Sequence, residues 1–466
     1  MRVLRRIRPT PEQITVIRRI QTGTSLIRGA AGSGKTSTAL TALRAATGTV
    51  VNQLRNEGSL PAHVLVLTYY NTLKGYIAAV IREEMADYAD SVLIYVLTFD
   101  KWAYDTLGIN GPLELERCEV ELRRLARPFP RDTSFILDEV NYILGRFLPG
   151  NLDDYLTRPR TGRGNSPQMD GAMRTRLLDE VVRPYLHWKQ VNNIQDFHDI
   201  AVLMSQHAPD FLFDVVVVDE AQDFSANQLR AIMRHCAPNA TITIVTDNAQ
   251  RIYPRGTSWA EAGVTVTAQR SFRLTVNYRN TKEIAKLAAA VAAGLPMDDD
   301  ASLPDPESCV ESGNLPVLLK GLYREQVEWS LKRLADIDLE TETVGFLHLK
   351  GGKYFDFLRQ QLRLRRLAFC ELQGSRAWPE DEANIGLCTF HSAKGLEFDH
   401  LFLLGLAQQD ASYGEEPDDE GFEALRRLVA MGIGRARKTV VLGVKPSEAL
   451  SLVDDIEANL VQEIEL

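Results

Sequence analysis

The sequence is poor in cysteine, with five in 466 residues and no CxxC pair among Cys118, Cys236, Cys309, Cys370 and Cys388. That excludes a small disulfide-stapled fold and reads as free, buried or half-buried thiols in a reducing cytosol. No apolar run reaches the ~18 residues of a membrane span. The N-terminus, Met1-Arg2-Val3-Leu4-Arg5-Arg6, is basic but no apolar stretch follows, so no secretory signal is expected. There is no repeat at solenoid spacing and no low-complexity tract. Apolar residues make up 45 % and charged residues 25 %. Those shares are ordinary for globular chains and exclude a wholly disordered or collagen-like one. The expectation is a cytoplasmic protein of about three domains, without a membrane partner.

A basic excess is also missing: 53 Lys and Arg stand against 62 Asp and Glu, a net charge of −9. Taken alone this argues against nucleic acid. The acids are concentrated, however. Residues 295–311, 408–423 and 446–466 contain no Lys or Arg and hold 6, 7 and 6 acids. Without them the remaining chain carries 43 acids against 53 bases, which leaves room for a basic groove.

Strand-like runs occur at residues 24–28, 63–68, 92–98, 215–218 and 241–246. Valines 215–218 are apolar without alternation, as in a parallel strand covered on both faces. Strands alternating with helices predict a doubly wound parallel sheet with its active edge at the strands' carboxyl ends. Residues from about 106 to 205 are mainly helix-like, and Arg158–Gly164 reads as a basic, flexible loop. A Pro/Asp-rich break at 294–313 precedes a second α/β unit, with strands at 344–349, 385–389, 400–404 and 440–444 and a helix at about 421–431.

Two segments carry chemistry. Gly29-Ala30-Ala31-Gly32-Ser33-Gly34-Lys35-Thr36 satisfies G-x-x-x-x-G-K-[ST], follows a strand and opens a helix. Its glycines let backbone N–H groups wrap phosphates, and the helix N-terminus adds positive potential. Lys35 is expected to neutralise β/γ-phosphate oxygens and Thr36 to ligate Mg²⁺. The second segment is Val215–Val218 followed by Asp219-Glu220-Ala221-Gln222-Asp223. Asp219 is expected to hold Mg²⁺ and Glu220 to polarise the attacking water.

Together, "GAAGSGKT" and "DEAQD" resemble the UvrD/Rep-like superfamily 1A helicases, and further motifs follow in that family's order. Gln13, 22 residues before Lys35, resembles the adenine-reading glutamine. Thr68-Tyr69-Tyr70-Asn71 resembles motif Ia, which implies strand contacts by Thr68, Tyr69 and Asn71. Thr98-Phe99-Asp100 resembles T-F-H; Asp100 replaces the His, so only Thr98 and Phe99 carry over. Asp247–Tyr253 resembles motif III, implying that Gln250 senses the γ-phosphate and Tyr253 faces a base. The family's Trp is replaced by Arg255, and Trp259 is expected in the core. Asn277-Tyr278-Arg279 resembles motif IV, with Tyr278 on adenine and Arg279 on the γ-phosphate. Thr389–Phe398 is similar to motif V: Gly395 and Glu397 on the nucleotide side, Thr389 and His391 on the strand side. Arg426–Arg437 resembles motif VI, with Gly434 for the usual Thr and Arg435 in the place of the arginine finger. Ser37 joins the nucleotide-binding set.

The resemblance implies an α/β fold of two RecA-like P-loop NTPase parallel-sheet domains with a mainly helical insertion in the first. The boundaries read as 1–105 with 206–293, then 106–205, then 294–466. Arg279 and Thr389 lie 110 residues apart, too close for the long 2B-type domain of larger relatives. The implied activity is an ATP- and Mg²⁺-dependent single-stranded DNA translocase or helicase, running 3′ to 5′, with single-stranded DNA and junctions as partners. The alternative is a DNA-sensing ATPase that drives a separate nuclease subunit, since the chain shows no nuclease motif of its own. An ATP-independent binding module would not need Lys35, Asp219, Glu220, Gln250, Arg279 and Arg435. A small-molecule P-loop kinase would not need motifs Ia, III, V and VI.

Overall fold

The computed structural model describes residues 9–29, 32–69, 71–160, 168–246, 259–295, 306–372, 383–407, 420–449, 451–454 and 456–466. The first sheet is built from β1 (Gly23–Gly29), β2 (Ala62–Thr68), β3 (Val92–Thr98), β4 (Phe213–Val218), β5 (Cys236–Thr246) and β6 (Ser271–Leu274). They lie in the order β3-β2-β4-β5-β1-β6, with every neighbouring pair parallel. The β4 valines explain why. Val216 and Val218 pack into one core with Leu65, Leu67 and Ile244, while Val215 and Val217 pack into another with Val64, Val66 and Val245. A strand covered on both faces has no use for alternation, and each buried aliphatic side chain contributes about 1.5–3 kcal/mol.

After β7 (Asn277–Thr281) and β8 (Cys309–Glu311), which form a two-stranded ribbon, comes the second sheet. Its strands are β9 (Val317–Lys320), β10 (Val344–His348), β11 (Phe369–Glu371), β12 (Ile385–Thr389), β13 (Phe398–Leu403), β14 (Ala436–Val444) and β15 (Gln462–Glu465). The order is β11-β12-β10-β13-β14-β9-β15, again parallel throughout. The two parallel sheets are those of two RecA-like domains. The helix Lys282–Val291 buries Ile284, Leu287, Ala288 and Val291 in the second sheet's core. The compositional break at 294 therefore falls after this helix, and packing changes sides near β7 instead. Pro and Asp mark where the chain is exposed; they do not report which core the preceding helix chooses.

The helical segment has a core of its own, from Cys118 to Ile194. The helix Phe197–Gln206 does not share it; Ile200, Ala201 and Met204 pack under the first sheet. The segment is fastened to the sheet domain by buried polar contacts. Asn227, in the helix Ala226–Arg234, donates to the carbonyls of Leu144 (2.9 Å) and Phe147 (3.2 Å). Arg146 meets Glu261 through two hydrogen bonds of 3.0 and 2.8 Å. Arg158 joins Glu261 at 3.2 Å, and Arg160 pairs with the buried Glu139 at 2.6 Å. The described start of the basic loop is thus tied down by ion pairs. Residues 161–167, which include the rest of that loop, lie outside the described residues.

Glu261→Ala leaves the nearly fully buried Arg146 guanidinium short of its counter-charge. The expected cost is about 3 kcal/mol, read as a lower denaturant midpoint; an unchanged midpoint would make the clamp dispensable.

Candidate functional site

Parallel strands end on one edge, and the candidate residues leave from there. In the P-loop, Gly32 (φ +85°) and Gly34 (φ +78°) hold left-handed backbone that favours glycine. Side chains also press against them. A Cβ at Gly32 would lie 2.3 Å from Asn277 Oδ1, and one at Gly34 would lie 2.3 Å from Gln13 Nε2. Gln13 also donates to the Ser33 carbonyl at 3.2 Å, so the expected adenine reader stands on the loop. Lys35 opens the helix Lys35–Glu57 and turns its ammonium back to the Gly29 carbonyl at 2.5 Å. The Tyr278 amide donates to the Gly32 carbonyl at 3.2 Å, and the Tyr278 side chain is exposed.

Asp219 and Glu220 follow β4. Thr36 Oγ1 donates to the Asp219 carboxylate at 3.0 and 3.2 Å. Burial, then the neighbouring Glu220 charge, hold the Asp219 carboxyl above the ordinary range. Burial also pushes Glu220 up, but Lys394, Arg435 and Lys35 outweigh it and leave its carboxyl low. Glu220 takes a left-handed backbone (φ +53°), which costs a non-glycine residue about 1–2 kcal/mol. Gln222 donates to its carboxylate.

The second domain supplies the opposite wall. Lys394, fully buried, pairs with the buried Asp223 and lies 3.8 Å from Glu220. Arg435 is 2 % exposed, donates from Nε to Met431 Sδ at 3.2 Å and acts electrostatically on Glu220. The helix Glu420–Ile433 ends before it, so Gly434 and Arg435 form the turn into β14. The Gly434 carbonyl accepts from Asn280 Nδ2 at 3.1 Å, a backbone contact that a glycine can make as well as a threonine. Arg279 pairs with Glu397, and its buried Nε has no hydrogen-bond acceptor among the described residues. Ser37 lies in the first turn of the P-loop helix, and Gly395 turns with φ +79° two residues before Glu397.

Sequence reasoning missed Lys394, Asp223 and Gln222 as site residues. All three stand inside the quoted motifs. Only the folded interface reveals that Lys394 crosses to the other domain's acids.

The strand-contact residues divide. Tyr69, half-buried, meets Phe224 edge-on at 5.8 Å, and His391 is half-buried with its imidazole held neutral by burial and by Lys394. Thr68 is fully buried. Thr98 caps the helix Phe99–Leu107, and Phe99 packs on Trp102 in the core. Thr389 Oγ1 accepts from the Ser392 amide at 3.1 Å. These four side chains have structural partners or full burial rather than an open face. Asn71 starts the helix Asn71–Glu84, but its side chain lies outside the described residues, as do Ala30, Ala31, Gln250 and Tyr253. Trp259 packs against the first core, as expected.

Residues 152–268 match the UvrD/REP helicase N-terminal domain family, and residues 351–445 match the UvrD-like helicase C-terminal domain family. Both matched segments are similar to domains of UvrD-like helicases. The chain is similar to a "Probable DNA helicase" of Mycoplasma pneumoniae, 24 % identical over 52 % of this chain and 46 % of that protein. It is also similar to "ATP-dependent DNA helicase UvrD2" of Mycobacterium tuberculosis, 28 % identical over 48 % of this chain and 30 % of that protein. "ATP-dependent DNA helicase Rep" of Buchnera aphidicola is 24 % identical over 24 % of this chain and 19 % of that protein. This UvrD-like chain thus spans less than half the length of these relatives. No described helix is long and apolar enough to cross a membrane.

Proposed function

We propose that this UvrD-like chain is an ATPase that moves along single-stranded DNA, 3′ to 5′, by closing and opening the cleft between its two RecA-like domains. One observation carries the reading: Glu220 and Asp223 of the first domain face Lys394 of the second across a fully buried contact, with Arg435 acting on the same Glu220. Such an arrangement makes one site from two bodies, and a γ-phosphate held there ties them together.

In this reading Lys35 leaves the Gly29 carbonyl for phosphate oxygens. Gln13 and Tyr278 hold adenine. Arg279, with its unsatisfied Nε, exchanges Glu397 for the γ-phosphate and frees Glu397 for the ribose. Gln250 joins it there. Glu220 accepts the proton of the attacking water, and Arg435 stabilises the charge that develops. Thr36 and Asp219 suit a hard divalent cation. A hydroxyl and a carboxyl raised by burial converge there, and among the described residues no larger acid or histidine cluster competes. Bound Mg²⁺ would neutralise β/γ-phosphate charge.

Tyr69, His391 and Tyr253 form the stacking track in this reading, worth about 1–3 kcal/mol per base and indifferent to sequence. The domain division that best fits the packing runs near β7, with the helical insertion centred on 118–194 and no 2B-type domain. A strand-displacement and end-release assay tests the motor. ATP-dependent release of streptavidin from a 5′-biotinylated single strand, and not from a 3′-biotinylated one, is expected for 3′-to-5′ movement. No release from either end, despite ATP hydrolysis, would overturn translocation and leave an ATPase switch for a separate partner.

Lys394 is the largest influence holding Glu220 low. Lys394→Met should therefore raise the Glu220 pKa, keep the base protonated to higher pH, and move the acid limb of the kcat profile upward. An unmoved limb would remove Lys394 from control of the base.

A further inference from the structure

The helix Asn71–Glu84 begins three residues past Thr68, at the edge where β2 delivers Tyr69. Its inner residues Leu73, Ile77 and Ile81 are buried in the first domain's core. Leu73 also touches the other domain. A Cβ at Gly395 would lie 2.6 Å from Leu73 Cδ2, so Leu73 would have to give way to any side chain there, and the φ of +79° favours glycine. One helical turn on, Tyr76 packs against both the first-domain core and the second-domain core. Burial, then Glu397, push its hydroxyl above the ordinary range, while Arg279 and Arg437 oppose that shift. The ring therefore sits in the field of the Glu397–Arg279 pair. Positions i and i+3 share a helix face, so Leu73 and Tyr76 present one ridge to the segment Gly395–Glu397.

We propose that this helix carries strand engagement at Tyr69 to the nucleotide cleft, with Tyr76 a positioning residue for Glu397 and Arg279; the proposal rests on the DNA-stimulated ATPase reading above. A base seated at the end of β2 bears on the N-terminus of a helix whose next turn is wedged against motif V. A shift of the helix moves Gly395, and with it Glu397, two residues on. That releases Arg279 for phosphate. Simple interdomain packing by Tyr76 would contribute to stability without setting how far DNA accelerates turnover, and the two roles separate experimentally.

The test uses the full chain and its Tyr76→Ala, Tyr76→Phe, Tyr69→Ala and Tyr69→Ala/Tyr76→Ala variants. ATP turnover is measured against oligo-dT concentration. The readout is the ratio of DNA-saturated to DNA-free kcat, which cancels any difference in folded fraction. For Tyr76→Ala the ratio should fall by about two- to thirtyfold, with the KM for ATP and the half-saturating DNA concentration near wild type. Tyr76→Phe keeps the wedge and should restore most of the ratio. Tyr69→Ala and Tyr76→Ala should be non-additive in the double variant. An unchanged ratio in Tyr76→Ala, a Phe variant as impaired as Ala, or strictly additive effects would overturn the proposal. A wild-type enzyme that DNA does not stimulate would overturn the functional reading itself, and this inference with it.

Discussion

Arg435→Ala should lower kcat for ATP by about 10³–10⁵-fold, the span over which arginine fingers act in phosphoryl transfer. ATP affinity should change far less. Arg435 sits on the turn between the last helix and β14, in the second domain, and its charge already reaches Glu220 in the first. Such a group meets the γ-phosphate fully only when the cleft closes, so its contribution belongs to the transition state rather than to binding. Nucleotide affinity by fluorescence titration and kcat by steady-state turnover separate the two. Equal losses in both would make Arg435 an ordinary binding or packing residue. Because the side chain is almost fully buried against Met431, Arg435→Lys serves as the fold control; it keeps the charge but loses the planar fork, and should remain impaired in kcat.

Glu220→Gln should keep nucleotide binding and lose about 10²–10⁴-fold in kcat, the usual contribution of a positioned general base. The amide is nearly isosteric, so the Gln222 contact and the left-handed backbone can persist. It cannot accept a proton. Hydrolysis at the wild-type rate would show that Glu220 does not activate water. Lys35→Ala provides the contrast: removing the cation beside the Gly29 carbonyl should weaken ATP binding itself.

Much of this architecture is legible in the chain because the informative residues are local. The Val215–Val218 run announces a strand buried on both faces, and the glycines around Lys35 announce a loop only glycine can make. Short strands were not legible. β6, β9, β11 and β15 have four residues or fewer, and each lies at or next to the edge of its sheet, where pairing rather than pattern decides. The site was legible as motifs, not as contacts. Lys394 stood in view within Ser392-Ala393-Lys394-Gly395, yet nothing local says that it is buried against Asp223, 171 residues earlier. Conversely, Phe99 and Thr98 carry a strand-contact pattern, but here one fills the core and the other caps a helix. A motif reports which residue type stands at a strand end; packing decides which way the side chain faces.

The central claim is that one nucleotide cleft, shared by two domains, is driven by a single strand. The most direct test is the ATP turnover of the wild-type chain against single-stranded DNA concentration, at low and high salt, repeated with RNA. The account predicts a saturable rise in kcat, a half-saturating DNA concentration that increases with salt as counterion release requires, and little dependence on base sequence. The same turnover with and without DNA at both salts would contradict it.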